Sequence, residues 1–542
     1  MEYNKLYEQW KSSQYLSAEQ KAELEGIDQK EILDRFCAPL SFGTAGLRGV
    51  VGMGTNRMNV FTLVQAVRAF AQSLPGDALV VVCRDARLSS SELARAAACA
   101  LCEEGVRVLY FAHARPTPEL SFAVRHYGAV GGINITASHN PKEYNGCKFY
   151  GSTGAQLGGE DTDRVFEIME ETPLLAPLPE KDFDSCVREG AIMYADCDFE
   201  YIAAVLECAT DPQLVKDTDL SVVYTPFHGV GGSIMPQVLM QAGLKNVYYE
   251  PHQMEPDGNF TTLKNPNPEE GSGFALAKEL AKSKDADIII GTDPDADRVA
   301  VCVRDKSGDY VQLTGNRVGA LLCDYLLGRY RGDKTPVIIK TIVSTPLAEA
   351  ICDRYRANCY STFTGFKNMA EKLEELRDSE QCLMCFEESI GYMIGSHVRD
   401  KDGISGTLLI CEMAAWYKKQ GKTLLDGLND LFDKYGEYDD LTLNLVRKGV
   451  DGAVEIRNMM ASLRKDPPQS ILGLMVIEKK DYLSGENVHI MGSDVLEYRL
   501  QGGSRLLIRP SGTEPKIKIY ALSRKVSAQA LADALEQRLT AK

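Results

Sequence analysis

The sequence predicts an α/β protein of several domains, three of them α/β and the last α+β. Apolar runs rich in β-branched residues recur ahead of loops of Gly, Ser, Thr, Pro or Asp that lead into helical patterns, as at Leu79–Asp85, Val222–Pro226 and Val337–Lys340. Fully apolar strands alternating with helices imply sheets covered on both faces, hence a largely parallel component. Three such units fit before about residue 435. Beyond them the chain changes to short strands, Leu506–Ile508 and Ile517–Tyr520, around a turn and then a helix rich in Ala, Leu and Glu. That pattern predicts a separate α+β unit. The length of 542 residues agrees with several cores, since one core stops growing near about 250–300 residues.

Composition narrows the function classes. Hydrophobic residues make up 44% and charged residues 25%, ordinary values for a globular protein. The start, Met1–Gln20, is polar and lacks the basic beginning and apolar run of a secretory signal. No apolar segment approaches the roughly 20 residues that span a bilayer, so a cytoplasmic protein with no membrane partner is expected. A net charge of −16 argues against nucleic acid as a partner, because phosphodiester chains are bound largely by Lys and Arg. An anionic ligand must then be captured locally, in short loops. The 15 cysteines are an odd number scattered through apolar stretches, which fits reduced thiols. Two pairs have CxxC spacing. Cys99 and Cys102 fall in an Ala-rich helical pattern, and Cys382 and Cys385 in an apolar run that reads as a strand. Residues three apart on a regular strand face opposite ways, so the second pair cannot readily share a metal, and both pairs read as buried structural thiols.

Three loops carry the chemistry. Asp293-Pro294-Asp295-Ala296-Asp297-Arg298 follows the apolar Ile288–Gly291. Carboxylates at i, i+2 and i+4 of an extended loop point the same way, and three hard oxygen donors suit Mg²⁺. An EF-hand is excluded, because Arg298 and Arg304 stand where its Gly and Glu would be. A solvated Asp-rich turn is the plainer alternative. Thr136-Ala137-Ser138-His139-Asn140-Pro141 places a serine in a polar loop leaving a strand. Ser138 is a possible nucleophile, with His139 orienting or neutralising a bound group, although a turn or helix cap would use the same residues. Arg509-Pro510-Ser511-Gly512-Thr513-Glu514-Pro515 joins guanidinium, hydroxyls and a permissive glycine into an anion cradle, or simply a tight hairpin. Weaker signals are Ser41–Gly49, Thr364–Lys367, Glu387–Ser389 and Lys401–Gly403, each a loop with donors or a carboxylate.

In combination, order and spacing these loops resemble the α-D-phosphohexomutase superfamily over nearly the whole chain, from Gly-Thr-Ala-Gly-Leu-Arg-Gly at Gly43 to the loop at Arg509. Within it, the chain looks closest to the branch of bacterial phosphoglucomutases and eukaryotic phosphopentomutase and glucose-1,6-bisphosphate synthase. The resemblance implies a heart-shaped, four-domain architecture with mixed sheets, and domains at 1–210, 211–312, 313–435 and 436–542, each contributing one loop. It implies a monomeric enzyme acting on small-molecule sugar phosphates, interconverting glucose 1-phosphate and glucose 6-phosphate. Phosphorylated Ser138 is the implied carrier, and Mg²⁺ is held by Asp293, Asp295 and Asp297 together with Ser138. Phospho-Ser138 would donate to one sugar hydroxyl, and the resulting bisphosphate would turn and return its other phosphate. Glucose 1,6-bisphosphate is the implied activator. Arg48 and Arg298 would neutralise the transferring oxygens, and Lys148 and Lys401 are candidates for moving the hydroxyl proton, a lysine amid cations being easier to deprotonate than arginine. Thr364, Gly365, Glu387 and Ser389 match the sugar-binding residues. Arg509, Ser511, Gly512, Thr513 and Lys518 match the site for the phosphate that is not reacting. One departure stands out: much of the superfamily reads Gly-Glu-x-Ser-Gly where this chain has Phe386-Glu387-Glu388-Ser389-Ile390, which leaves mannose or pentose phosphates open as substrates. Two other classes compete, a phosphatase with an Asp nucleophile and a non-catalytic sugar-phosphate-binding protein.

Overall fold

Runs such as Ile288-Ile289-Ile290 are too apolar to face water, and in the computed structural model they are buried on both faces of their sheets. The structure describes residues 2–40, 42–43, 46–447, 449–488, 490–511 and 516–540. Two compact units emerge. The first comprises Met1–Thr314, Phe366–Glu374 and Ser389–Thr423, and the second Gly315–Gly365, Glu375–Glu388 and Leu424–Lys542.

The first unit contains two mixed sheets. One has seven strands in the order Phe42–Gly43, Gly46–Val50, Tyr144–Gly151, Gly131–Ile135, Leu79–Arg84, Arg107–Phe111 and Ile192–Ala195. Its strands 79–84, 107–111, 131–135 and 192–195 run parallel, while Tyr144–Gly151 returns antiparallel between Gly46–Val50 and Gly131–Ile135. Helices Val60–Ser73 and Ser90–Glu103 bury Leu63, Val67, Phe70, Ala94, Ala98 and Leu101 in its main core. The other sheet orders Tyr310–Gln312, Val299–Arg304, Ile288–Thr292, Ser221–Thr225 and Asn246–Tyr249. Its parallel pair, Ser221–Thr225 with Ile288–Thr292, is joined on one side by the antiparallel strand Val299–Arg304. The turn between Ile288–Thr292 and Val299–Arg304 is the aspartate loop.

In the second unit Asn358–Thr362, Thr335–Thr341 and Glu380–Glu387 pair in parallel. The C-terminal sheet is antiparallel throughout, in the order Asp439–Val446, Lys516–Ser523, Arg505–Pro510, Leu496–Leu500, Leu474–Asp481 and Ser470–Ile471. Helix Ala528–Thr540 packs Leu531, Ala532 and Leu535 against it, giving the α+β unit the sequence predicts.

One expectation fails here. Cys382 and Cys385 are buried free thiols, but they do not face opposite ways; their sulfurs lie 3.8 Å from each other. Val337 pairs with Cys382 but Ile338 pairs with Met384, so Leu383 is an extra, bulged residue. A bulge breaks the two-residue alternation and returns both thiols to one face. Cys99 and Cys102 do sit on a helix, Ser90–Glu103, and both interact with Cys186. All fifteen cysteines are free thiols. Among the described residues, no helix is long and apolar enough to cross a membrane.

The strand that delivers the aspartate loop has no room to spare. A Cβ on Gly291 would come within 2.6 Å of the Phe274 ring and 3.4 Å of the Phe227 ring. Gly291→Ala should therefore lower stability by about 1–3 kcal/mol in urea unfolding. Adding Phe274→Leu should cost less than the sum of the two single changes, because the smaller side chain vacates the clash.

Candidate active site

Ser138 leaves strand Gly131–Ile135 in a turn whose backbone is left-handed at the serine itself, φ 51°. A non-glycine residue in that region costs about 1–3 kcal/mol and persists only where the surroundings hold it. Here Arg87 holds it. Its guanidinium donates to the carbonyls of Ser138 (2.6 Å), Asn140 (2.7 Å), Pro141 (2.8 Å) and Tyr144 (3.0 Å), and to Asp85 (3.0 Å). Asp85 also accepts from Thr136 Oγ1 at 2.7 Å, and Thr136 Oγ1 in turn accepts from the Ser138 N–H at 2.9 Å. The result is a buried hydroxyl with fixed aim: Ser138 Oγ lies 3.0 Å from Asp293 Oδ2 and 3.2 Å from His139 Nδ1.

Asp293, Asp295 and Asp297 converge, with ligand atoms all within 4.8 Å of one another. Among the described residues this is the one group of three or more His, Cys, Asp or Glu so arranged. The convergence does not come from extended alternation, as the sequence pattern had implied. The chain turns instead, with Ala296 left-handed at φ 56° and its N–H donating to Asp293 O at 2.9 Å. Thr117 donates to Asp295 Oδ2 at 2.7 Å, and Lys148 reaches Asp295 Oδ2 at 2.8 Å and Asp297 Oδ2 at 3.2 Å. Lys401 lies 3.2 Å from Asp297 Oδ2 and 3.3 Å from Asp400 Oδ1. Tyr150 and Gln156 hold the other oxygen of Asp400 at 2.8 and 2.6 Å.

These contacts set the protonation states. Burial, with the two neighbouring carboxylates, holds Asp293 well above the usual range. Burial and Asp297 also push Asp295 up, but Lys148 and Thr117 outweigh them and leave it low. Burial works against Asp297 too, yet Lys401, Lys148 and Arg298 hold it far below the ordinary value. Burial lowers His139, and Arg298 and Arg48 lower it further, so its neutral imidazole can orient a group but not neutralise one. Burial also lowers Arg48, whose guanidinium donates to Asn140 Oδ1 at 3.0 Å. The expectation that surrounding cations would depress Lys148 is not met: burial and Lys401 lower it, but Asp295 and Asp297 prevail and hold it above the ordinary lysine value.

The remaining predicted residues lie in several places. Arg298 stands beside the aspartates, 3.9 Å from Asp297 Oδ1, and its guanidinium donates to the Ser389 carbonyl at 3.4 Å. In the second unit Glu387 Oε1 accepts from the Gly365 N–H at 2.7 Å, which ties the Thr364–Gly365 loop to the end of strand Glu380–Glu387. Arg509 and Lys518 are partners across the strand pair Arg505–Pro510 and Lys516–Ser523, and the Ser511 N–H donates to Lys516 O at 2.8 Å. Gly512 and Thr513 lie outside the described residues, as do Ser41, Thr44 and Ala45 of the first glycine loop.

Models of the four phosphoglucomutase/phosphomannomutase domains match residues 39–175, 199–308, 314–435 and 460–539 in turn, the first three described as alpha/beta/alpha domains I to III and the last as the C-terminal domain. The chain is 34% identical over 510 residues to a phosphoglucomutase of Staphylococcus aureus strain N315, covering 91% of each. The chain belongs to this family. Two solved structures share its fold: a phosphoglucomutase/phosphomannomutase family protein of Burkholderia thailandensis (TM-score 0.69, 22% identity, 92% of this chain and 97% of that one) and the open form of Paramecium parafusin (0.73, 19%, 93% and 96%). As a family member the chain is a phosphosugar mutase, an enzyme that transfers a phosphoryl group within one sugar.

The aspartate turn fits the divalent cation of such an enzyme. Asp295 Oδ1 and Asp297 Oδ1 are buried with no hydrogen-bond partner, and an uncompensated carboxylate oxygen is costly unless a cation faces it. Mutase sequences read by motif alone miss the residues that hold this turn and Ser138 in place: Asp85, Arg87, Thr117 and Asn134, which donates to Thr117 Oγ1 at 2.7 Å. Asp85 and Arg87 sit just past strand Leu79–Arg84, in a βα loop of the kind that carries function, and that position was the available signal. The sugar loop carries a backbone feature of its own: Ile390, a β-branched residue, is left-handed at φ 56°. Arg87→Lys cannot satisfy every carbonyl that Arg87 does. It should cost about 2–4 kcal/mol in denaturant unfolding and lower kcat with little change in KM, because it loosens Ser138 rather than the substrate.

Proposed function

We propose that this phosphosugar mutase interconverts glucose 1-phosphate and glucose 6-phosphate through phosphorylated Ser138 and a glucose 1,6-bisphosphate intermediate. The observation that carries the reading is the Ser138 hydroxyl 3.0 Å from Asp293, at the mouth of a buried aspartate turn with two orphaned oxygens. The phosphoglucomutase of S. aureus, similar over 91% of the chain, supports glucose as the sugar.

Each residue has a defined task in this proposal. Asp293, Asp295 and Asp297 hold Mg²⁺, which when bound supplies positive charge to the phosphoryl oxygens. Arg87 and Thr136 hold the Ser138 loop, so the phosphoryl group starts from a fixed point. Arg48 and Arg298 face the transferring oxygens and offset the charge spread over them. Neutral His139 orients the group on Ser138. Lys148 and Lys401 are the groups we assign to the proton of the sugar hydroxyl, and Lys148 must exchange it against the hold of Asp295 and Asp297 on its own proton. Thr364, Gly365, Glu387 and Ser389 are the groups we assign to sugar hydroxyls, and Arg509, Ser511, Gly512, Thr513 and Lys518 those we assign to the phosphate that is not reacting. The acceptor hydroxyl gives up its proton as its oxygen forms the new P–O bond, and the Ser138 Oγ–P bond breaks. After the bisphosphate turns, the same events run in reverse. Fifteen free thiols suit a reducing compartment, and we take the enzyme to be cytoplasmic and monomeric.

Ser138→Ala should retain the fold and lose mutase turnover by at least about 10³-fold; near-normal turnover would end the proposal. Enzyme freed of phosphate should require catalytic glucose 1,6-bisphosphate to start, and radiolabelled phosphate from that compound should appear on Ser138. Asp295→Asn should weaken Mg²⁺ binding in calorimetry and slow turnover together. A rate panel over glucose, mannose, glucosamine, ribose and deoxyribose phosphates tests the choice of sugar, and a higher kcat/KM for any of the others would reassign it.

A further inference from the structure

The first unit holds a second constellation of reactive groups, apart from the phosphoryl-transfer residues. Cys208 lies just beyond helix Asp198–Leu206, and its Sγ is 3.6 Å from His397 Nδ1. The other ring nitrogen, Nε2, is 2.9 Å from Asp402 Oδ2. Asp402 is itself fixed. Its Oδ1 accepts from Tyr201 Oη (2.9 Å) and from the N–H groups of Ile404 (2.8 Å) and Ser405 (3.1 Å), capping helix Gly403–Lys419. One carboxylate oxygen is thus committed to the helix and the tyrosine, and the other is left to the imidazole. That commitment orients the ring, with Nε2–H toward Asp402 and Nδ1 free to exchange a proton with the thiol.

The surroundings are built for this pair. Gly395 is left-handed at φ 74°, and a Cβ there would lie 3.1 Å from Cys208 Sγ and 3.7 Å from His397 Nδ1, so glycine leaves the space the two groups share. The sulfur also sits 3.4 Å from Ile394 O and 3.5 Å from Ala204 O, acceptors that hold the S–H form until the proton passes to the ring. Burial opposes charge on His397, but Cys208 and Asp402 raise it to about 10. At 3.6 Å the ring is within reach of the thiol proton, and the thiolate left by its transfer is the nucleophilic form. Cys208 is half-buried, whereas most cysteines of the chain are buried.

We propose that Cys208, activated by His397 and Asp402, is a nucleophilic thiol and a modification site that takes small soft electrophiles, hydroperoxides among them. With a hydroperoxide, Sγ attacks the terminal oxygen, and the S–O bond forms as the O–O bond breaks. Sulfur is oxidised to a sulfenic acid, the peroxide is reduced, and the departing alkoxide takes the His397 Nδ1 proton and leaves as the alcohol. With a haloacetamide, Sγ forms the S–C bond and halide leaves.

The test compares cysteines within one full-length sample. Cys37 is the control, since it is exposed and its sulfur's described contact is the Asp34 carbonyl. Under limiting iodoacetamide at neutral pH, peptide mass spectrometry should find Cys208 alkylated at least about tenfold faster than Cys37 despite its lower exposure. In urea the two rates should converge to within about twofold, because the imidazole is no longer held beside the sulfur. His397→Gln should slow Cys208 by about tenfold and leave Cys37 unchanged. Treatment with tert-butyl hydroperoxide followed by dimedone should mark Cys208 first. Cys208 reacting no faster than Cys37 in the native protein, a rate advantage that survives urea, or one that survives His397→Gln would each overturn the proposal. The native and urea comparison needs no variant, so a His397→Gln chain that fails to fold does not rescue it.

Discussion

Three carboxylates buried in one turn are the constraint around which the first unit is arranged. Left to themselves they would repel and protonate, and burial alone would push each of them up. Lys148, from the strand that faces Arg48, and Lys401, from the loop that begins helix Gly403–Lys419, meet the turn from two sides and share Asp297. The pairing is incomplete in an informative way. Asp295 and Asp297 each leave one buried oxygen without a hydrogen-bond partner, with Arg298 3.9 Å from that of Asp297, while burial and its two neighbours raise Asp293, which accepts from Ser138 Oγ. Full pairing by lysines would make a stable salt-bridge cluster with no capacity for a cation; partial pairing leaves a site that a divalent ion completes.

The same balance explains why the strand connections look as they do. Ser138 comes from a parallel strand of the seven-stranded sheet and the aspartates from a strand pair of the five-stranded one, so neither sheet alone makes the site. Thr117 spans the gap, donating its hydroxyl to Asp295 Oδ2 while its N–H donates to Asp295 O at 2.9 Å. Asn134, on the strand that ends at the Ser138 loop, donates to that same hydroxyl. A polar chain of this kind, buried at every member, rigidifies only when each link is satisfied. Asn134 Nδ2, Thr117 Oγ1 and Asp295 Oδ2 are so linked, and the serine and aspartate loops are thereby held in register.

Much of this was legible in the sequence, and the rest was hidden for identifiable reasons. Apolar runs such as Val80–Val82 and Ile288–Ile290 declare buried strands, and the Asp, Ser and Gly loops that follow them mark the functional ends. The tail's antiparallel hairpin followed from its two short strands and intervening turn. What failed was inference from ideal strand geometry. A single bulge at Leu383 reversed the facing of Cys382 and Cys385, and one left-handed alanine turned an imagined extended loop into a tight turn. Neither Leu nor Ala advertises such a conformation, because tertiary contacts impose it. Arg87 was illegible for another reason. Its partners are backbone carbonyls, which leave no trace in side-chain patterns, and the pKa of Lys148 depended on which charges came closest rather than on how many were near in sequence.

The three left-handed non-glycine residues at the functional turns of the first unit, Ser138, Ala296 and Ile390, share a device that none of their sequences displays. Each has its own carbonyl oxygen anchored by a donor from elsewhere in the chain: Arg87 Nη2 to Ser138 O at 2.6 Å, Gly403 N to Ala296 O at 3.1 Å, and Val299 N to Ile390 O at 3.0 Å. A turn strained by about 1–3 kcal/mol relaxes by rotating its peptide planes, and a carbonyl held in a hydrogen bond opposes that rotation. The Ala296 anchor itself depends on a glycine, since a Cβ on Gly403 would lie 2.8 Å from the oxygen it must approach. Conformation at these turns is therefore maintained from outside the turn, by residues whose substitution would look harmless in any list of catalytic groups. That is also why a β-branched residue can occupy position 390: with Ile390 buried and its carbonyl held, the strain is a fixed cost of the fold.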